Sequence, residues 1–209
     1  MLRVTLLQSN ITLKGQILLS DPPINARVIT NINKSFNQAG CQALKKSDNF
    51  ITDYMLAEFG SRYAAQDWRE CGKLLKQLVL QEFNVDLTKA TIVDGSGLSR
   101  YNVLTVNQFD EFLSALYRSP DFDKFLPMLA IPNEDGTLKK RFLNMKIFAK
   151  TGTMTGISSL VGYVFDKDNV AYSFVIVLNN YYGSQQDKNS FYDIILEHIT
   201  RGKRYQAPK

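Results

Sequence analysis

The segment Lys146–Gly162, KIFAKTGTMTGISSLVG, decides how the rest of the chain is read. An apolar run ends in Lys150-Thr151-Gly152, a turn follows, and a second apolar run begins. This is the pattern of a strand whose edge carries a cation and two hydroxyls, Thr151 and Thr153. The edge is open because Gly152 has no Cβ and lets another backbone approach closely. Such an edge suits a peptide-like ligand with a terminal carboxylate. Lys-Thr-Gly recurs by chance in many proteins, so the triplet needs an answer elsewhere in the chain.

Toward the C-terminus, Ser158–Phe165 and Val170–Asn179 read as two further strands joined by the turn Asp166-Lys167-Asp168-Asn169. A three-stranded antiparallel meander is therefore expected. A last helix, about Gln186–Thr200, is expected to bury Phe191, Ile194, Ile195 and Ile199. His198 near its end suits the helix dipole better than catalysis.

Toward the N-terminus, Lys139–Leu143 is expected to run back to the sheet, and Phe125–Ile131 to form a short helix or turn. Thr105 and Gln108 make a capping box that opens a helix with Phe109, Phe112, Leu113 and Leu116 on its buried face. The loop Asp94–Asn102 holds Gly95 and Gly97, but it lacks the Lys-Ser/Thr of a phosphate loop and the third glycine of a dinucleotide fingerprint. It reads as a tight structural loop near a site. Asp67–Phe83 is amphipathic, with Trp68, Cys71, Leu74, Leu75, Leu78 and Val79 on one stripe and Cys71 as a core thiol. Asn31–Lys46 is broadly helical, though Gly40 weakens it, and Phe50–Phe59 is a second helix ended by Gly60. Ser47 falls at their junction, where it is either the N-cap of the second helix or a side chain pointing into a cleft. Residues 1–31 read differently, with a helix end or strand at Val4–Leu7, a strand at Gln16–Ser20 and the breaker Asp21-Pro22-Pro23. They are expected to be the tail of an inserted domain or a linker, with 32–209 as the main unit.

The chain has 209 residues, 44% of them hydrophobic, which is enough for a substantial core. Its apolar runs fall short of the roughly 20 residues that a membrane-spanning helix needs. The start, MLRVTLLQSN, carries no secretory signal, so a protein working outside the cytoplasm would be mature, trimmed or incomplete here. The charge of +5 is scattered over short clusters, Lys45-Lys46, Lys139-Lys140-Arg141 and the tail from Arg201, without a nucleic-acid motif. A solvated surface is the expected reading and nucleic acid is not expected as a partner. Two cysteines, Cys41 and Cys71, with no Cys-x-x-Cys and one histidine in the chain speak against a zinc site.

Ser47-Asp48-Asn49, opening a helix, and Lys150-Thr151-Gly152, ending a strand, are weak apart and strong together, since both belong to the motif set of penicillin-binding proteins and β-lactamases. With SDNFITDYMLAEFG, DGSGLSRYN, DGTLKKRF and AKTGTMTGISSLVGY in that order, the chain from about Lys45 to Thr200 resembles the C-terminal part of the serine D-alanyl-D-alanine carboxypeptidase/endopeptidases, the class C low-molecular-mass penicillin-binding proteins. The resemblance implies an α/β chain of the α+β kind: a partial β-lactamase/transpeptidase-like fold, an antiparallel sheet flanked by helices, with the N-terminal strands and the nucleophile helix missing. It also implies a periplasmic setting and peptidoglycan stem peptides or β-lactams as ligands. Ser47 would pass a proton to the leaving amine, Asn49 would bond a substrate amide, and Lys150 would add positive charge near Ser47 and the substrate carboxylate. Thr151 and Thr153 would bind that carboxylate beside Gly152, and the Thr153 N–H would be one oxyanion-hole donor. No metal or cofactor is required. One departure stands out: no serine of the chain has a lysine three residues later, so the family's nucleophile motif Ser-x-x-Lys does not occur in it. Removing a nucleophile can cost about 10⁶ in rate, so the chain is expected to be inactive alone and to need the missing N-terminal portion or a second copy. The alternative is a non-catalytic module that keeps the binding strand. The sheet is expected to show an unpaired edge or an apolar face.

Overall fold

The computed structural model describes residues 8–16, 21 and 34–201. The chain divides into two compact units, residues 1–33 and 34–209. In the first, residues 8–16 contain no strand; the Val4–Leu7 segment and the strand expected at Gln16–Ser20, Gln16 apart, lie outside the described residues.

The second unit runs α1 (Phe36–Lys45), α2 (Asn49–Arg62), α3 (Trp68–Phe83), α4 (Val106–Tyr117), α5 (Phe122–Phe125) with a following 3-10 turn (Leu126–Met128), β1 (Lys146–Met154), β2 (Ile157–Phe165), β3 (Ala171–Asn179) and α6 (Gln185–Thr200). The helix starts follow from side chains that accept the orphan N–H groups of a first turn. Ser35 with Gln38, Thr105 with Gln108 and Ser184 with Asp187 form capping boxes, and Asp48 and Asp67 cap α2 and α3. α3 closes on Asn84 in the left-handed conformation, φ 53°.

The sheet is the expected antiparallel meander in the order β1-β2-β3. Lys146 stands opposite Phe165, and Ile157 opposite Asn179. Because strand side chains alternate between faces, this register separates two cores. Ile147, Ala149, Leu160, Val164 and Phe174 face one side, where Tyr192 and Leu196 of α6 cover them. Phe148, Val161, Tyr163, Phe165 and Val175 face the other, against Leu44 of α1, Leu113 of α4 and Phe122 and Phe125 of α5. Tyr163, 1% exposed, donates its hydroxyl to the Leu113 carbonyl at 2.7 Å, so the buried ring carries no orphan polar atom. A third cluster, Val79, Val85, Leu87 and Ala90, joins α3 to α4.

Several expectations are corrected. α6 buries Lys188, Tyr192 and Leu196, while Phe191 and Ile194 are exposed. The phase is set by the sheet, where the Tyr192 hydroxyl donates to buried Ser158 Oγ at 2.8 Å. Trp68 and Phe109 also lie exposed at the rims of their helices rather than on the buried stripes. Residues 139–143 form turns rather than an extended run, with Phe142 at φ 55° so that its ring reaches the core. α2 runs two residues past Gly60, which is buried because Cys71 of α3 lies against it. The helix expected from Asn31 begins at Phe36, and residues 31–33 are outside the described set.

Candidate active site

The bend between α1 and α2 places Ser47 with φ 57°, a conformation that non-glycine residues adopt at a cost. Ser47 is not the helix cap: Asp48 is, accepting from the Ile51 N–H at 3.1 Å. Asp48 is also held by Gln42 of α1, whose Nε2 donates to it at 2.6 Å. The Ile51 N–H and then the Gln42 amide hold its carboxyl below the usual carboxylate range. With the capping duty taken by its neighbour, the Ser47 hydroxyl turns to the sheet and accepts from Lys150 Nζ at 2.7 Å. Asn49, first residue of α2, is exposed, and its amide makes no hydrogen bond among the described residues.

β1 supplies the other wall. Lys150 is half-buried, and its ammonium donates to Ser47 and to the Thr151 carbonyl. Burial pushes its pKa below the ordinary lysine value. None of its described partners is a carboxylate, so its positive charge is unneutralised. Ala149 exchanges both backbone hydrogen bonds with Ala130 at 3.1 and 2.9 Å, across the edge of β1 that does not face β2. In an antiparallel ladder the direction of the backbone groups alternates. Thr151 and Thr153 therefore point their N–H and C=O groups to this same edge, while Lys150 and Gly152 bond to β2. Beyond Ala149 the edge carries no other strand among the described residues. The Lys150 side chain lies on one face of β1, where Gly152 presents none, and those of Thr151 and Thr153 lie on the other, so only a ligand lying along the edge meets both sets. A Cβ at Gly152 would overlap Ser159 Oγ on β2, which accounts for the missing side chain beside Lys150.

The structure thus brings Ser47 and Lys150 into contact, and among the described residues the Asn49 amide and the Thr153 edge have no partner. Sequence reasoning missed Asp48 as the cap, although it sits inside the Ser-Asp-Asn triplet and aspartate is as good a cap as serine. It also missed Asp53, which accepts from the Gly95 and Ser96 N–H groups, and Arg100, which donates to the Thr155 carbonyl. The only signal for either was the glycine-containing loop itself.

Part of the basic clusters is paired with carboxylates. Lys45 pairs with Glu134 at 2.8 Å, Lys46 with Asp135 at 2.9 Å and Arg141 with Asp193 at 2.6 Å. No helix among the described residues is long and apolar enough to cross a membrane.

The sequence model of the D-Ala-D-Ala carboxypeptidase 3 (S13) family matches residues 1–197. The D-alanyl-D-alanine carboxypeptidase DacB of Haemophilus influenzae is 26% identical over 182 residues, which are 83% of this chain and 38% of that protein. Among solved structures, penicillin-binding protein 4 (dacB) of Haemophilus influenzae, complexed with a β-lactam, superposes with a TM-score of 0.70 at 23% identity, covering 93% of this chain and 49% of that one. The TLA-3 extended-spectrum β-lactamase shares the fold with a TM-score of 0.57 at 12% identity, covering 82% of this chain and 66% of that one. The chain spans less than half the length of the Haemophilus protein.

Proposed function

This chain belongs to the D-Ala-D-Ala carboxypeptidase 3 (S13) family, and from that premise we propose that it is the substrate-holding portion of a serine-type D-alanyl-D-alanine carboxypeptidase/endopeptidase acting on peptidoglycan stem peptides in the periplasm. The observation that carries this reading is the 2.7 Å contact of Lys150 Nζ with Ser47 Oγ beside the open edge of β1. A terminal D-alanine laid along that edge would set its carboxylate near the Lys150 charge and the Thr151 and Thr153 hydroxyls. Its scissile carbonyl oxygen would accept from the Thr153 N–H, an oxyanion-hole arrangement. Asn49 would bond a substrate amide, and Ser47 would hand a proton to the leaving amine, drawing on its hydrogen bond to Lys150. Acyl transfer still needs a nucleophile, and the chain contains no Ser-x-x-Lys. The nucleophile is therefore supplied by another polypeptide segment, and the chain alone does not turn over.

Fluorescent penicillin tests this. The chain alone is expected to stay unlabelled, and mixing it with an N-terminal fragment of a relative that bears Ser-x-x-Lys should produce label on that fragment. Label on this chain alone would reveal a nucleophile of its own and overturn the incomplete-enzyme reading. No label in the mixture, with D-Ala-D-Ala peptide still bound by the chain, would favour a binding module without catalysis.

A further inference from the structure

The Ser47–Lys150 hydrogen bond joins the start of α2 to β1 at one point. A second connection between the same two elements runs through residues 94–102. Asp53 of α2 accepts with one carboxylate oxygen from the Gly95 N–H at 2.9 Å and the Ser96 N–H at 2.8 Å. The approach demands glycine, because a Cβ at Gly95 would overlap the Thr52 carbonyl of α2. The loop is stiffened from within: Asp94 accepts from the Gly97 N–H at 2.6 Å, the Ser99 N–H at 2.7 Å and Asn102 Nδ2 at 2.7 Å. Asn102 Oδ1 accepts from the Val93 N–H at 2.8 Å, so the loop is also pinned to the chain that enters it. At its far end Arg100 Nη2 donates to the carbonyl of Thr155, the residue that follows β1, at 2.9 Å.

The two attachment points flank the binding groups. Asp53 is one turn beyond Asn49 on the same side of α2, and Thr155 lies about 7 Å along the chain from Thr153. We infer that loop 94–102 is a rigid strut that sets the separation of Asn49 from the Thr153 edge, with Asp53 and Arg100 as positioning residues for substrate binding. This rests on the reading of Asn49 and Thr153 as substrate-holding groups. The strut works at a distance from the reacting bond, through the width of the cleft, and a misplacement of about 1 Å in such a site can cost on the order of 10²-fold.

The test measures the affinity of the chain for an N-acyl-lysyl-D-alanyl-D-alanine peptide, together with backbone hydrogen exchange. Asp53→Ala and Arg100→Ala should each weaken binding about 10-fold, and the double variant should be no weaker than either, because one strut is broken once. Asp53→Asn, which keeps an acceptor oxygen, should restore most of the affinity. In Asp53→Ala, exchange at the Met154 amide should quicken while the α1 amides stay as protected as before. Unchanged affinity in the single variants, or losses that multiply in the double variant, would overturn the strut. Failure of the unsubstituted chain to bind the peptide would instead overturn the substrate-holding reading, and the strut would then stand or fall on the Met154 exchange alone.

Discussion

Lys150 is the residue on which site chemistry and stability pull in opposite directions. Its ammonium is half-buried and bonded to a hydroxyl and a carbonyl, so burial lowers its pKa from the ordinary 10.5. In the unfolded chain the lysine holds its proton up to that ordinary value, so between the folded and unfolded pKa the unfolded state binds more protons. Folding stability therefore rises with pH through that window. Under the proposed function, carboxylate affinity would have the opposite sign, because it would use the charged form. Binding of a D-Ala-D-Ala peptide is expected to weaken as pH rises, beginning below 10.5, whereas Lys150→Arg should hold its affinity flat across the same range. A titration of affinity against pH checks this. Equal profiles for the two proteins would remove Lys150 from the carboxylate site.

At the scale of elements, the β1–β2 ladder is built around a missing side chain. Gly152 and Ser159 are opposite one another on the same face as Lys150, and only Ser159 Oγ obstructs a Cβ at position 152; the Ser159 Cβ stands 3.8 Å away. Gly152→Ala should therefore cost about 1–3 kcal/mol of unfolding free energy by overpacking, and adding Ser159→Ala should recover most of it. Urea unfolding of the two variants measures the difference. Failure of the second substitution to rescue would place the constraint at Gly152 on the backbone. The helices carry a complementary lesson. The capping boxes at Thr105 and α6 and the stripe through Cys71 and Val79 follow local rules that a linear sequence displays. Which way α6 faces does not: Tyr192 and Leu196 rather than Phe191 and Ile194 enter the core over the sheet, where the Tyr192 hydroxyl also partners buried Ser158.

For the whole molecule, the outer edge of β3 pairs with no other strand among the described residues. Phe174, Ile176 and Leu178 pack toward one core and Val175 toward the other, so the strand is apolar on both faces like a central strand. By the ladder's alternation Ser173, Val175 and Val177 turn their N–H groups outward, and none of these groups meets a backbone acceptor among the described residues. Such an edge is a template for another strand, from a complementing fragment or a second copy. Val177→Pro removes one outward N–H and leaves the β2 hydrogen bonds intact, and it is expected to weaken association at least about 10-fold by sedimentation velocity. A chain that stays monomeric and takes up the fragment equally well with the proline would show that the edge is not the joint.

The meander and the two motifs were legible in the sequence because they depend on short range: period-two alternation, a turn between apolar runs, and residue types adjacent in the chain. The site was not. Ser47 meets Lys150 across 103 residues, Asp53 meets Gly95 across 42, and Arg100 meets Thr155 across 55. No local rule relates residues so far apart. The sequence alone determined which groups would be available; the tertiary structure brought Gln42 of α1 onto the Asp48 cap and left the Ser47 hydroxyl to meet the lysine of β1.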